Sequence, residues 1–211
     1  MLIDFNKNRE ETELSDNMEE QEVLENDVAQ TGEEKPSAIR EIISWLIYFA
    51  VAIIAAMLIK NYLIINASVP TGSMENTILP GDRLIGNRLA YINSEAERGD
   101  IVIFSYPDNE NETYVKRIIG LPGETVTIEN AKIYINGSTK PLDEPYLKEE
   151  WVEETGPYIF EVPEDCYFVL GDNRNNSWDA RYWTNTYVSK EKILGEAIFT
   201  YWPLNQFGKL E

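Results

Sequence analysis

Three stretches carry side chains that could do chemistry together. The first is Val69-Pro70-Thr71-Gly72-Ser73-Met74, whose Ser73 hydroxyl follows the only long apolar run in the chain. A serine hydroxyl is a weak nucleophile until a neighbouring base takes its proton. The usual base is missing, because the 211 residues include no histidine. That excludes Ser-His-Asp and Cys-His catalysis and every histidine metal site. A lysine can serve instead if it is neutral at working pH, which requires its ordinary pKa of about 10.4 to fall by several units, as burial in apolar surroundings brings about. Lys116 is the candidate, within the apolar stretch Tyr114-Val115-Lys116-Arg117-Ile118-Ile119. Strand alternation does not say which face is buried, so an outward-facing lysine is the competing reading. The third stretch runs from Gly171 to Trp183 and contains Asp172, Arg174, Ser177, Asp179 and Arg181, with two potential Asp-Arg pairs. Polar loops of this kind orient sites through hydrogen-bond networks; the alternative is a turn-rich surface loop.

The elements that must position these groups fall into three parts. Residues 1–38 are rich in Glu, Asp, Asn and Gln, without aromatic clusters or apolar period, and read as a solvated, mostly disordered tail. Residues 39–65 hold the uncharged run Ile42 to Ile59, which as a helix would span about 27 Å, close to the bilayer's hydrocarbon thickness. It is apolar all round, unlike a core helix with a polar stripe. Residues 66–211 read as short strands separated by turns: Arg83–Ile85, Ile101–Tyr106, Thr113–Ile119, Thr125–Ile128, Lys132–Ile135, Tyr158–Val162, Tyr167–Leu170 and Ile193–Tyr201. Asn130-Ala131 closes a hairpin and Asn136-Gly137 is a strong turn. Strands at this spacing without intervening helices predict a mainly β, antiparallel body. Residues 137–157, with acidic side chains around Trp151, read as a small surface extension or lid edge.

The formal charge of −19 argues against a nucleic-acid partner, since binding phosphates needs clustered Lys and Arg. About half of the excess is local, since residues 1–41 hold thirteen acids against Lys7, Arg9, Lys35 and Arg40. The tail is too acidic for a cleavable signal or transit peptide. Arg40 and Lys35 lean the span towards a cytoplasmic N-terminus, against Lys60 on the other side. The single cysteine, Cys166, has no partner for a disulfide or zinc site and reads as a small core residue.

Taken in order, these stretches resemble the bacterial type I signal peptidases, membrane-bound Ser-Lys endopeptidases. The resemblance rests on Val69 to Met74, Gly81-Asp82-Arg83, Tyr114 to Gly123 with its Gly120-Leu121-Pro122-Gly123 end, and Gly171-Asp172-Asn173-Arg174-Asn175-Asn176-Ser177 followed by Asp179 and Arg181. It covers residues 40–203, leaving only the acidic tail unaccounted for. It implies an antiparallel β catalytic domain preceded by a single transmembrane helix, with Ser73 as nucleophile and Lys116 as general base. The Thr71 hydroxyl would join the Ser73 N–H as oxyanion donor. Ser177 would orient Lys116, and Asp179 with Arg181 would brace the loop as an ion pair. Val69, Ile78, Tyr114 and Val115 would line shallow pockets for small residues, favouring an Ala-x-Ala signature before the cut.

The implied partners are preprotein signal peptides, the lipid bilayer and, as a further contact, the secretion machinery; no cofactor or metal is implied. The implied location is the cell membrane, single-pass, with the N-terminus cytoplasmic and the catalytic domain outside. Two positions depart from the family pattern: Asn76 stands where proline is usual, and Thr184 where glycine commonly follows Arg181-Tyr182-Trp183. The alternatives are a self-cleaving repressor-type Ser-Lys protease, disfavoured by the span, and an inactive membrane-anchored β domain that binds export partners.

Overall fold

The computed structural model describes residues 38–152 and 156–210. The acidic tail thus lies, apart from Ala38, outside the described residues. The chain divides into two compact units at Ile53/Ile54. Helix α1 (Ala38–Leu58) has no buried residue. It runs on through a single π-turn, Ile59–Leu63, and the 26 residues Ala38–Leu63 are long and apolar enough to cross a membrane. A helix bonds the backbone polar groups of its interior within itself, as the hydrocarbon requires. The run ends earlier than the expected boundary at residue 65, because Ile64 and Ile65 already belong to a strand.

That strand is β1 (Ile64–Ser68), followed by β2 (Arg83–Asn87), β3 (Ile101–Tyr106), β4 (Asn109–Gly120), β5 (Thr125–Glu129), β6 (Lys132–Ile135), β7 (Tyr158–Glu161), β8 (Cys166–Leu170), β9 (Val188–Ser189), β10 (Ile193–Trp202) and β11 (Gly208–Lys209). The main sheet has the order β1-β2-β10-β3-β4-β8-β9, with β11 also on β10; a smaller sheet has the order β6-β5-β7. All pairings are antiparallel. The fold is therefore the mainly β one that the strand pattern predicts. Asn130 and Ala131 both take positive φ, 52° and 58°, the backbone a two-residue hairpin turn needs.

Two apolar clusters hold the sheets. One gathers Val102, Phe104, Ile118, Phe168 and Leu170 with Val126, Ile128 and Ile133 of the small sheet. The other, around Ile65, Val69, Leu84, Ile101 and Ile103, receives Met74 and Ile78 from the loop between β1 and β2. Both of those side chains are fully buried, and fully burying one such side chain stabilises by about 1.5–3 kcal/mol. Met74 and Ile78 thus anchor the loop directly behind Ser73. Cys166 is half-buried at the start of β8, packed against the first cluster rather than inside it.

Candidate active site

Ser73 sits where β1 ends and the chain turns. Val69 N–H donates to Asp82 O and Gly81 N–H to Val69 O, closing the neck of the loop. Inside it, the Met74 carbonyl accepts from Thr77 and Ile78. The buried Ser73 side chain is thereby presented on a short turn whose far side is nailed into the core.

Lys116 lies on β4 opposite Val102 of β3. Its side chain is buried, as are those of Arg117, Ile118 and Ile119, so this end of the strand is covered on both faces and the lysine does not face outward. Its Nζ is hydrogen-bonded to Ser73 Oγ and lies 5.9 Å from the centre of the Tyr114 ring. Burial lowers the Lys116 pKa from 10.5 to about 8, against the opposing pull of Asp179 and Asp172 and with a smaller push from Arg181. In the neutral form the bond reverses: the serine O–H donates to the lysine lone pair, the geometry of a base taking a proton.

The Thr71 hydroxyl lies 3.4 Å from Ser73 Oγ. Among the described residues the Ser73 amide N–H has no hydrogen-bond acceptor. Two donors therefore lie beside the hydroxyl, available to an oxygen that would become negative when Ser73 attacks a carbonyl.

The loop after β8 packs against this pair. The Asn173 N–H donates to the Ser73 carbonyl at 3.0 Å and the Asn173 side chain to the Gly72 carbonyl at 2.9 Å. A Cβ at Gly171 would overlap the Ser177 hydroxyl and the Ser73 carbonyl, so only glycine allows the approach. Asp179 and Arg181 form the expected two-pronged pair, at 2.7 and 3.0 Å, and Asp179 also accepts from the Gly171 N–H at 3.0 Å. The other pair that sequence proximity suggests does not form. Asp172 instead accepts two hydrogen bonds from Arg117, at 2.9 and 2.7 Å, plus the Thr77 hydroxyl at 2.5 Å, while Arg174 turns to Glu144 at 2.6 Å.

Two expected contacts differ. Ser177 lines the same cavity as Ser73 and Lys116, yet its buried hydroxyl has no hydrogen-bond partner, so it does not bond to Lys116 in this structure. Ile78 does not line the cleft: it is fully buried in the second cluster, because the turn that presents Ser73 points that side chain into the core. Val69, Tyr114 and Val115 do line the cleft, a cavity of about 720 Å³ that also holds Thr71, Ser73 and Lys116. Trp178 and Tyr182, stacked with ring centres 5.5 Å apart, form part of the wall, and sequence reasoning gave them no role. Along the cleft, residues 113–116 of β4 pair with β3 only, since β8 begins to pair at Arg117. One strand edge therefore faces the cavity unpaired.

A protein-family profile described as signal peptidase, peptidase S26, matches residues 42–202. The chain is 39% identical over 196 residues to a probable signal peptidase I-2 of Synechocystis sp., covering 89% of this chain and 86% of that protein. It is 38% identical over 186 residues to a signal peptidase I of Bacillus amyloliquefaciens, covering 83% and 96%. Among solved structures, a signal peptidase I from Enterococcus faecalis is 36% identical, with a TM-score of 0.42 over 49% of this chain and 97% of that one. The chain belongs to the signal peptidase family. It is a peptidase of the signal peptidase I type, and its reaction is the cleavage of signal peptides from preproteins.

Proposed function

We propose that Ser73 and Lys116 are the reacting pair of this peptidase and that the enzyme works as a membrane-anchored serine endopeptidase cutting after small residues. The observation that carries this reading is the buried Lys116 Nζ bonded to Ser73 Oγ. Neutral Lys116 takes the hydroxyl proton as Ser73 Oγ attacks the scissile carbonyl. The Ser73 N–H and the Thr71 hydroxyl stabilise the resulting oxyanion. Lys116 then gives its proton to the leaving amine, and the released chain departs. In the second half-reaction Lys116 takes a proton from water, which attacks the acyl-enzyme; collapse returns the Ser73 hydroxyl and frees the signal peptide's new carboxylate.

Val69, Tyr114 and Val115 crowd the cleft next to the pair, which suits small side chains such as alanine on the acyl side. An extended substrate would add to the open edge of β4, through the same main-chain bonds that strands use. Ser177, with its free hydroxyl in this cavity, has the role of steadying Lys116 as the proton moves. Ile78 acts from behind, holding the turn. The apolar run Ala38–Leu63 is the anchor. Ten residues lead from Leu63 to Ser73, a reach of at most about 35 Å, so the nucleophile works close to the bilayer surface where a cleavage site emerges. On this reading the N-terminus is cytoplasmic, the catalytic unit lies outside the cell membrane, and contacts with lipid and the secretion machinery follow from that location.

The test is to incubate the full-length protein in detergent with a preprotein and map the cut by mass spectrometry. A cut after an Ala-x-Ala site, abolished in Ser73→Ala and in Lys116→Ala with both variants still folded, is expected. Cleavage persisting in either variant refutes the pair, and a folded wild type that cuts no preprotein supports the partner-binding alternative.

A further inference from the structure

The segment between β6 and β7 is not a free-standing extension. From Glu144 to Trp151 it is irregular chain, yet its side chains and carbonyls reach each of the segments that build the site. The Glu144 carboxylate receives both terminal nitrogens of Arg174, at 2.6 and 3.2 Å, with the two side chains only 7% and 1% exposed. Breaking so buried a pair strands a charge. Arg174 in turn donates to the Gly171 carbonyl at 3.0 Å, in the loop that closes on Ser73.

Tyr146 makes the other two connections. Its carbonyl accepts from the Asn76 side chain at 3.0 Å, in the turn that presents the nucleophile. Its ring lies 4.0 Å from the guanidinium of Arg117, which is next to Lys116 on β4 and grips Asp172. Its hydroxyl donates to Glu144 at 2.9 Å. Further on, buried Trp151 lies under the guanidinium groups of Arg174 and Arg181, at 5.3 and 5.0 Å. The serine turn, the lysine strand and the loop after β8 thus share one short stretch of chain.

We propose that residues 144–151 form a strap that sets the distance and angle between nucleophile and base, with Tyr146 as its positioning residue. The inference rests on Ser73 and Lys116 being the reacting pair. None of the strap residues lines the cleft, so its action falls on the alignment of reacting groups and not on substrate binding. A misplacement of about 1 Å can cost around a hundredfold in rate.

The experiment compares wild type, Tyr146→Phe, Tyr146→Ala and Ser73→Ala in the full-length protein, with kcat and KM measured on a signal-peptide substrate across pH and the folded fraction measured by circular dichroism. Tyr146→Phe keeps the ring and the carbonyl and is expected within about threefold of wild type. Tyr146→Ala is expected to lower kcat by about tenfold or more per folded molecule with KM nearly unchanged. Its rising pH limb should also move to higher pH, as water reaches the lysine. The charged groups that face Lys116 (Asp172, Asp179 and Arg181) are left in place by these substitutions. If Tyr146→Ala does not fold, Tyr146→Leu, which keeps apolar bulk without the flat ring, carries the same expectation. A wild-type kcat per folded molecule, or a change confined to KM, overturns the strap. Cleavage by Ser73→Ala overturns the reacting pair instead, so the two failures are told apart.

Discussion

Replacing Lys116 with methionine should make the protein more stable and inactive, by an amount that depends on pH. Burial holds the Lys116 pKa at about 8 in the folded state, against 10.5 for the ordinary group. At 1.36 kcal/mol per pKa unit this gap corresponds to about 3 kcal/mol of destabilisation while the lysine is charged. Below pH 8 both folded and unfolded chains carry the proton, and the folded state bears the whole cost. Between pH 8 and 10.5 the folded lysine has lost its proton and the unfolded one has not, so unfolding takes up a proton and stability rises with pH. Above 10.5 the cost has gone. Methionine fills a similar volume without a charge, but forfeits the hydrogen bond to Ser73, which offsets about 1 kcal/mol.

Lys116→Met is therefore expected to exceed wild type by about 2 kcal/mol at pH 7, with the advantage lost before pH 10.5 and replaced above it by a deficit of about 1 kcal/mol from the missing hydrogen bond. Urea unfolding of the full-length protein in detergent, followed by tryptophan fluorescence, measures both; taking the difference cancels the tyrosines that also titrate at high pH. The same pKa sets the activity of the wild type, whose kcat/KM should rise with a midpoint near pH 8. A stability difference that stays constant from neutral to strongly alkaline pH, or a flat rate profile through the same range, would refute the claim that burial makes this lysine a base.

Thr71→Val keeps the shape of the side chain and removes its hydroxyl, 3.4 Å from Ser73 Oγ; kcat should fall by about 100- to 1,000-fold, as for loss of one oxyanion donor, whereas Thr71→Ser should stay near wild type in the same peptide-cleavage assay. Asn76→Pro tests whether this turn follows its own path. Asn76 has φ of 93°, which proline, locked near −65°, cannot adopt, so a melting temperature lowered by several degrees is expected, and an unchanged one would show that the turn refolds around the proline.

Much of the candidate site was legible because one absence narrowed the chemistry. Without histidine, a serine in a loop needed a lysine on an apolar strand, and Lys116 was the residue that met that description. The bounds of β3 and β6 agree with their sequence patterns because alternation and turn residues frame both. β1 was not legible: Ile64 and Ile65 continue the apolar run of α1, and five residues are too few for a period to emerge beside it. Ile78 was misassigned because only the three-dimensional turn decides whether that side chain faces cleft or core. The pairings of Asp172 with Arg117 and of Arg174 with Glu144 span 55 and 30 residues. Local sequence offers the shorter Asp172–Arg174 pairing and gives no hint that other segments outcompete it.

The two aspartate–arginine pairs also bear on how a lysine can stay poised for deprotonation beside two buried carboxylates. An unpaired aspartate a few ångströms from Lys116 would stabilise its ammonium form and leave the base protonated. Asp172 and Asp179 do pull in that direction, but each is held by its own arginine through two hydrogen bonds. Arg181 offsets part of that pull, and burial remains the largest influence on the lysine's pKa. The arginines are themselves stacked on aromatic rings, Arg117 on Tyr146 and Arg181 on Trp151, which holds the guanidinium groups in place. An acidic loop next to a basic catalyst is therefore no contradiction. Its aspartates shape the site through hydrogen bonds, and burial is the largest influence on the Lys116 pKa despite their pull.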